Sequence, residues 1–242
     1  ALPPTETGTP EPPPTLTPTP LPAVPDEFLQ ILLPGAASQV ISPVAVSGLA
    51  LAAPDQPVVV ELVAEDGSMI AQALADVQAE AGQRGPFRAD LRFTGGSQNA
   101  RIQVSFLSAR DGGLTHLASI PVSLLESGNP VLTAGQIRAE NIYIELPAPG
   151  AVISGGQLTV SGIALPSFEN TLVVQLLDAA GTVLATAPVI VTAPELGQPG
   201  PFSITLPYSL AAAQAGRVVV ADISVGIPGI LHLSSVEVTL QP

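Results

Sequence analysis

The sequence predicts an all-β chain in which a Thr/Pro-rich segment precedes two tandem Greek-key β-sandwiches. Three observations support this fold class. Apolar and polar residues alternate with a period of two, Gly and Pro interrupt the chain at short intervals, and a set of motifs occurs twice, about 115 residues apart. With 27 Pro and 22 Gly among 242 residues, the chain holds too many helix breakers for a helical bundle.

The first 25 residues differ in composition from the rest of the chain. They contain ten Pro and six Thr, with repeated Thr-Pro steps and only two charged residues. Such a segment cannot bury a core, so we expect an extended, disordered spacer. Spacers of this kind stand between an anchor and a folded module, and we expect a removed N-terminal signal or a lipid anchor to precede this one.

Three matched motifs define the internal repeat. Val-Ser-Gly at 46–48 returns at 160–162, Gly-Pro-Phe at 85–87 returns at 200–202, and a block around His116 returns around His232. The order is kept and the offset changes only slightly, which indicates a duplicated domain rather than a solenoid. The predicted boundaries are domain 1 at 26–125, a linker at 126–140 and domain 2 at 141–242.

The strands of each copy follow from the period of two. In the first copy they are predicted at 28–33, 40–51, 58–64, 69–77, 87–93, 100–108 and 118–124, with counterparts in the second copy. Asp-Gly at 66–67 and Ala-Gly at 180–181 predict hairpin turns. The glycine of each Val-Ser-Gly motif predicts a bulge or a close backbone approach. Alternation is unclear at 218–225, where Asp222 lies among apolar residues.

These motifs resemble the immunoglobulin-like domain family named for bacterial spore germination. The resemblance rests on Ser-Pro at 42–43, Val-Ser-Gly, the turn at 65–67 and Gly-Pro-Phe, and the second copy adds Phe-Glu-Asn at 168–170. The first copy departs from the pattern there, with Pro54 and Asp55. The resemblance implies two tandem extracytoplasmic modules of a bacterial cell envelope protein, and it brings no catalytic residues.

Composition excludes several functions. No lysine is present, and seven arginines against 20 acidic residues give a net charge of −13, so we expect no nucleic-acid partner. Without Cys the chain forms no disulfide, thiolate metal site or thiol nucleophile. No apolar run reaches the roughly 18 residues of a membrane-spanning helix, so we expect no transmembrane segment.

Few residues are candidates for chemistry. His116 and His232 occupy equivalent positions, and a structural role at the rim of the core is favoured over a proton shuttle or metal ligand. The acidic turns at 65–67 and 110–113 are favoured as solvated turns over calcium sites, because calcium requires six to eight oxygen ligands. No catalytic motif is present, and we expect no enzyme activity, cofactor or metal.

Two aromatic residues are candidates for ligand contact. Tyr143 lies in the first strand of the second copy, and Phe168 lies in a loop before a strand. The alternative for both residues is packing at the edge of a sheet. The expected function is a structural or adhesive module that contacts an envelope or extracellular protein, and the alternative is binding of a glycan or wall polymer.

Overall fold

A computed structural model describes residues 23–53, 56–166, 169–195, 197–224 and 229–242 of the chain. Within these ranges the protein is all-β, as predicted. The strands of the first half are β1 Leu29–Leu33, β2 Ser38–Val40, β3 Val44–Leu51, β4 Val58–Ala64, β5 Met69–Ala75, β6 Arg84–Leu91, β7 Gln98–Leu107 and β8 Leu114–Leu124. Those of the second half are β9 Ile142–Leu146, β10 Val152–Ile153, β11 Gln157–Ala164, β12 Thr171–Leu177, β13 Val183–Ile190, β14 Gly200–Pro207, β15 Gln214–Ile223 and β16 Ile230–Leu240. The described residues contain no helix that is long and apolar enough to cross a membrane.

The strands form two three-stranded sheets and one ten-stranded sheet. The small sheets have the orders β1-β3-β6 and β14-β11-β9, and all their neighbours are antiparallel. The large sheet runs β13-β12-β15-β16-β8-β7-β4-β5, with the short strands β2 and β10 added in parallel beside β8 and β16. Each small sheet covers one half of the large sheet, which gives a sandwich-like architecture.

Each half encloses its own apolar core between the facing sheets. Val46, Leu62 and Phe87 lie in the core of the first half, and Val160 and Phe202 lie in that of the second. The alternation of β6 is as predicted, since every second side chain from Gly85 to Leu91 is buried. Gly-Pro-Phe thus brings a phenylalanine into the core at the beginning of a strand.

Two local predictions are also confirmed. Gly67 and Gly181 have φ angles of 84° and 80° in the turns between β4 and β5 and between β12 and β13. Gly48 lies so close to the backbone carbonyl of Gln30 that a Cβ there would overlap it and would lie 2.7 Å from the Phe87 ring. The predicted strand at 40–51 is instead divided, because Ser42 and Pro43 separate β2 from β3.

Most of the predicted spacer, the Pro54-Asp55 pair and Phe168 lie outside the described residues.

Candidate functional site

The two halves meet where β8 pairs with β16. Two ladder positions join them, His232 opposite Ala118 and Leu233 opposite Leu117. A third apolar cluster packs at this junction; it consists of Leu117, Val219, Ala221 and Leu233, with Leu114, Leu177 and Ile230 partly buried against it. β15 is therefore buried on both faces from Val218 to Asp222, which explains why alternation is unclear in this part of the sequence. A register shift follows at Asp222, itself 1% exposed, as expected for a bulge.

Further hydrogen bonds attach β16 to the first half. The Ser119 hydroxyl donates to the backbone carbonyl of Leu231 at 2.9 Å, and Arg101 donates to that of Ile230 at 3.2 Å. Ser119 and Arg101 are both buried, where water cannot serve as a hydrogen-bond partner, and these bonds help to satisfy their polar groups. The junction thus combines sheet pairing, apolar packing and buried polar contacts.

A buried ionic cluster extends the junction on the same face of β15 as Val219 and Ala221, because Arg217 precedes them at alternate positions of the strand. Arg217 is fully buried, and its Nη2 lies 2.7 Å and 2.8 Å from the two carboxylate oxygens of Asp111, which is 3% exposed. Its Nε donates to Glu237 at 2.7 Å, and Arg110 pairs with both carboxylates. Gly113 allows this approach, since a Cβ there would lie 2.9 Å from Nη1 of Arg217.

The electrostatics of this cluster favour its charged form. Burial alone raises the pKa of Asp111, but hydrogen bonds from Arg217 and from the backbone N–H of Gly113, together with the Arg217 charge, hold it well below its usual range. Burial lowers the pKa of Arg217, but the partner carboxylates outweigh it and raise that pKa. A charge in this site is stabilised only while its partner is present.

The predicted linker is held against the first half rather than projecting into solvent. Glu27 is 2% exposed, and its Oε2 accepts a hydrogen bond from Nε of Arg138 at 2.9 Å. The Glu140 carboxylate accepts from the backbone N–H of Phe28 at 2.7 Å. Nδ1 of His232 lies 3.7 Å from Glu27, so this cluster also connects the linker to the second half.

Burial dominates the pKa values around the linker. It raises the pKa of Glu140 to about 7, with the nearby Glu27 charge raising it further and the bond from Phe28 opposing the change. Burial also raises the pKa of Glu27, against the effect of Arg138. The pKa of His232 falls to about 3 through burial and the Arg138 charge. His232 is therefore neutral at pH 7.

A cleft of about 450 Å³ opens at this junction. Most of its wall is apolar, and three aromatic rings lie along it: Phe28, His116 and Tyr143. His116 stacks on Phe28 with ring centroids 3.8 Å apart, and burial lowers the pKa of His116 to about 4, so it is a neutral part of the wall at pH 7. The polar lining includes Glu140 and the Asp26–Arg84 ion pair, joined at 3.0 Å.

The structure brings together some of the residues singled out in the sequence. Tyr143 is half-buried in β9 and lines the cleft, so ligand contact there stays a prediction, whereas Phe168 lies outside the described residues. Both histidines lie at the junction in structural contacts. Asp66 accepts hydrogen bonds from the backbone and hydroxyl of Ser68, which lower its pKa and stabilise the turn.

The residues that organise the junction carry little signal in the sequence. Arg217 had one available signal, since it is the single cation of residues 141–242 and is followed by an apolar run. A charge at that position implies a buried partner, but nothing in the sequence indicates Asp111. Among the described residues, no group of three or more His, Asp or Glu is arranged to hold a metal ion.

Comparisons with solved structures show distant similarity. A transglutaminase of red sea bream has a TM-score of 0.31 and 10% identity; the match covers 89% of this chain and 31% of the other, so this chain spans about a third of that protein. The Escherichia coli CFA/I adhesin CfaE has a TM-score of 0.23 and 14% identity, with 89% and 83% covered. The C-terminal domain of Streptococcus pyogenes AspA, of the antigen I/II family, has a TM-score of 0.24 and 9% identity, with 90% and 99% covered.

TM-scores this low carry no functional implication for the chain. A comparison with curated proteins found no match. A family model does match the second half. Residues 141–226 match the immunoglobulin-like domain of bacterial spore germination.

Proposed function

We propose that the chain is a non-catalytic pair of tandem immunoglobulin-like β-sandwiches with a structural or adhesive role in the bacterial cell envelope. The family match at 141–226 supports this for the second half. For the first half, support comes from the repeated motifs, from a separate core and from the equivalent close approach at Gly48 and Gly162. In this proposal residues 1–25 are a spacer that holds the pair away from a cell-surface anchor, and the partner is an envelope or extracellular protein.

The strongest support for this proposal is the junction between the halves. Two sandwiches on a flexible linker move independently, whereas the β8–β16 ladder and the buried Asp111–Arg217 pair fix one orientation. A fixed orientation suits a module that bears load or presents a surface. The buried carboxylates of Asp111 and Glu27 are each paired with an arginine, which supports a structural rather than a catalytic role.

Binding to envelope fractions tests the proposal directly. The purified chain is incubated side by side with insoluble wall polymer and with solubilised envelope protein from the native host. We expect saturable retention of envelope protein by the parent chain. Asp111→Ala, which releases the junction, weakens that retention, and Asp90→Ala, which removes an exposed acid of β6, does not. No saturable retention, or equal retention by both variants, contradicts the proposal.

Glycan or wall-polymer binding is the second candidate, and the cleft favours it. Tyr143 supplies an aromatic ring beside Asp26 and Glu140, and carboxylates accept hydrogen bonds from sugar hydroxyls. Titration with soluble wall glycans, followed by Tyr fluorescence, distinguishes the candidates. The structural role predicts no change in Tyr fluorescence, whereas glycan binding predicts a saturable change, and Tyr143→Ala then lowers the glycan affinity measured by calorimetry.

A further inference from the structure

Three acidic residues line the cleft at the junction, and one of them differs from the other two. Asp26 pairs with Arg84 at 3.0 Å, and Glu27 pairs with Arg138 at 2.9 Å. Glu140 forms no ion pair within the part of the chain that the structure describes. Because a carboxylate that loses hydration is stabilised by a nearby positive charge, the cleft holds one acid whose charge is uncompensated.

The backbone holds Glu140 at the wall of the cleft. Its Oε2 accepts a hydrogen bond from the N–H of Phe28 at 2.7 Å, which fixes the side chain beside the start of β1. The side chain is half-buried and lines an open cleft, so a group that enters from solvent can reach it. Burial raises the pKa of Glu140 to about 7, and an entering cation would oppose that rise, as Arg138 does at Glu27. The site therefore favours a positively charged ligand.

The walls of the cleft suit an aliphatic chain. They are mostly apolar, and they include the rings of Phe28, His116 and Tyr143 together with Leu51 and Ile142. An aliphatic stem buries its surface against such walls while its charged end reaches a polar group. Aromatic ring faces also attract a cation within about 6 Å. A ligand with a hydrocarbon chain and a terminal positive charge thus matches both parts of the cleft.

We propose that the cleft receives a lysine side chain of a protein partner, whose ammonium group pairs with Glu140 while its aliphatic stem lies along the aromatic walls. The carboxylate geometry favours lysine over arginine. Arginine binds best to both oxygens of a carboxylate, and Oε2 of Glu140 already accepts from the N–H of Phe28. An ammonium group acts as a point charge and needs only one oxygen.

Composition and charge identify the source of this lysine. The chain contains no lysine, so a second copy cannot supply the side chain. Its net charge of −13 attracts a basic segment of another protein and repels an acidic one. This inference rests on the protein-partner role proposed above, and it adds the chemistry that the partner must present.

Calorimetric titration of the full chain with the peptide acetyl-Gly-Gly-Lys-Gly-Gly-amide tests the proposal. We expect saturable binding with a dissociation constant on the order of 1 mM. In the matched peptide, norleucine replaces lysine and keeps the stem without the charge; it binds at least about tenfold more weakly. Because the pKa of Glu140 is about 7, binding at pH 7 releases about half a proton, which titrations in buffers of different ionisation enthalpy measure.

Glu140→Gln separates the carboxylate from the rest of the cleft. This variant keeps an oxygen that accepts from Phe28, and it is expected to bind the lysine peptide at least about tenfold more weakly, without proton release. The affinity of the parent rises from pH 6 to pH 8 as Glu140 ionises, and that of the variant does not. His116 and His232 stay neutral over this range and add no titration. Glu145→Gln, at an exposed position of β9, is the matched control and binds like the parent.

Several results overturn the proposal. These are no saturable binding by the parent chain, equal binding of the lysine and norleucine peptides, and equal weakening by Glu140→Gln and Glu145→Gln. Glucosamine, an amine with a sugar ring, is titrated alongside, and tighter binding of glucosamine than of the lysine peptide overturns the assignment to a protein side chain. A parent chain that retains envelope protein but does not bind the peptide contradicts this inference alone. One that binds the peptide with the expected dependence on Glu140 but retains no envelope protein contradicts the proposed function alone.

Discussion

Arg217 and Asp111 form a buried ion pair between residues 106 positions apart, with Nη2 of Arg217 at 2.7 Å and 2.8 Å from the two carboxylate oxygens. Arg217 belongs to a central strand of the second half, and Asp111 belongs to the β7–β8 turn of the first. Since both side chains are almost completely removed from solvent, the pair forms only when the halves dock in one orientation. It therefore couples the folding of the two cores.

Asp111→Ala is expected to lower the free energy of unfolding by about 3 to 5 kcal/mol, because it leaves the buried Arg217 with an incomplete set of partners. Urea unfolding of the full chain measures this change. Asp90→Ala, at the exposed Arg88–Asp90 pair with its 3.8 Å separation, is the matched control and changes the value by less than about 1 kcal/mol.

A double replacement separates charge from packing. Asp111→Leu with Arg217→Met removes both buried charges and leaves Glu237 paired with Arg110. This variant is expected to recover more than half of the stability lost in Asp111→Ala. If the double variant is as unstable as the single one, the loss comes from the shape of the turn rather than from an unpaired charge.

The contrast between this pair and the strands shows which features a sequence can predict. The strands at Val58–Ala64 and Arg84–Leu91, the hairpin turns and the close approach at Gly48 depend on neighbours in sequence or on a residue type that permits one geometry. The junction depends on groups far apart in sequence. Burial of β15 on both faces arises only because the Leu117 and Leu233 cluster covers its second face, and no local pattern encodes that contact.

Gly48→Ala is expected to lower the free energy of unfolding by at least about 2 kcal/mol. Its Cβ would overlap the carbonyl oxygen of Gln30, a backbone atom that cannot rotate away, and would also press on the Phe87 ring. Gly96→Ala is the matched control, since nothing lies within 4 Å of the added Cβ, and it is expected to be neutral within about 0.5 kcal/mol. Equal effects of the two substitutions in urea unfolding contradict the close approach.

Acid is expected to destabilise the protein through its buried histidines. Burial lowers the pKa of His116 from 6.5 to about 4. Between these pH values the unfolded chain therefore binds a proton at this histidine, whereas the folded chain does not. The contribution of His116 therefore falls as the pH drops from 6.5 to 4, by about 3 kcal/mol. His232, with its pKa lowered to about 3, acts in the same direction over a wider range.

Unfolding free energies of His116→Gln and the parent chain, measured in urea from pH 7 to pH 4, test this dependence. Loss of the stacking on Phe28 changes the unfolding free energy of the variant by the same amount at every pH. The informative quantity is therefore the slope of the unfolding free energy against pH. The variant is expected to lose less stability on acidification than the parent. Parallel curves would mean that His116 titrates normally in the folded chain.

Glu140 is expected to act in the opposite direction. Its pKa is raised from 4.5 to about 7, so between these values the folded chain keeps a proton that the unfolded chain releases, and stability falls as the pH rises. Glu140→Gln keeps an oxygen that accepts from the N–H of Phe28 but removes the titration. Relative to the parent, this variant gains about 3 kcal/mol between pH 4.5 and pH 8. Glu145→Gln, at an exposed position of β9, controls for the loss of one negative charge. A gain of equal size in both variants would assign the effect to net charge instead of burial.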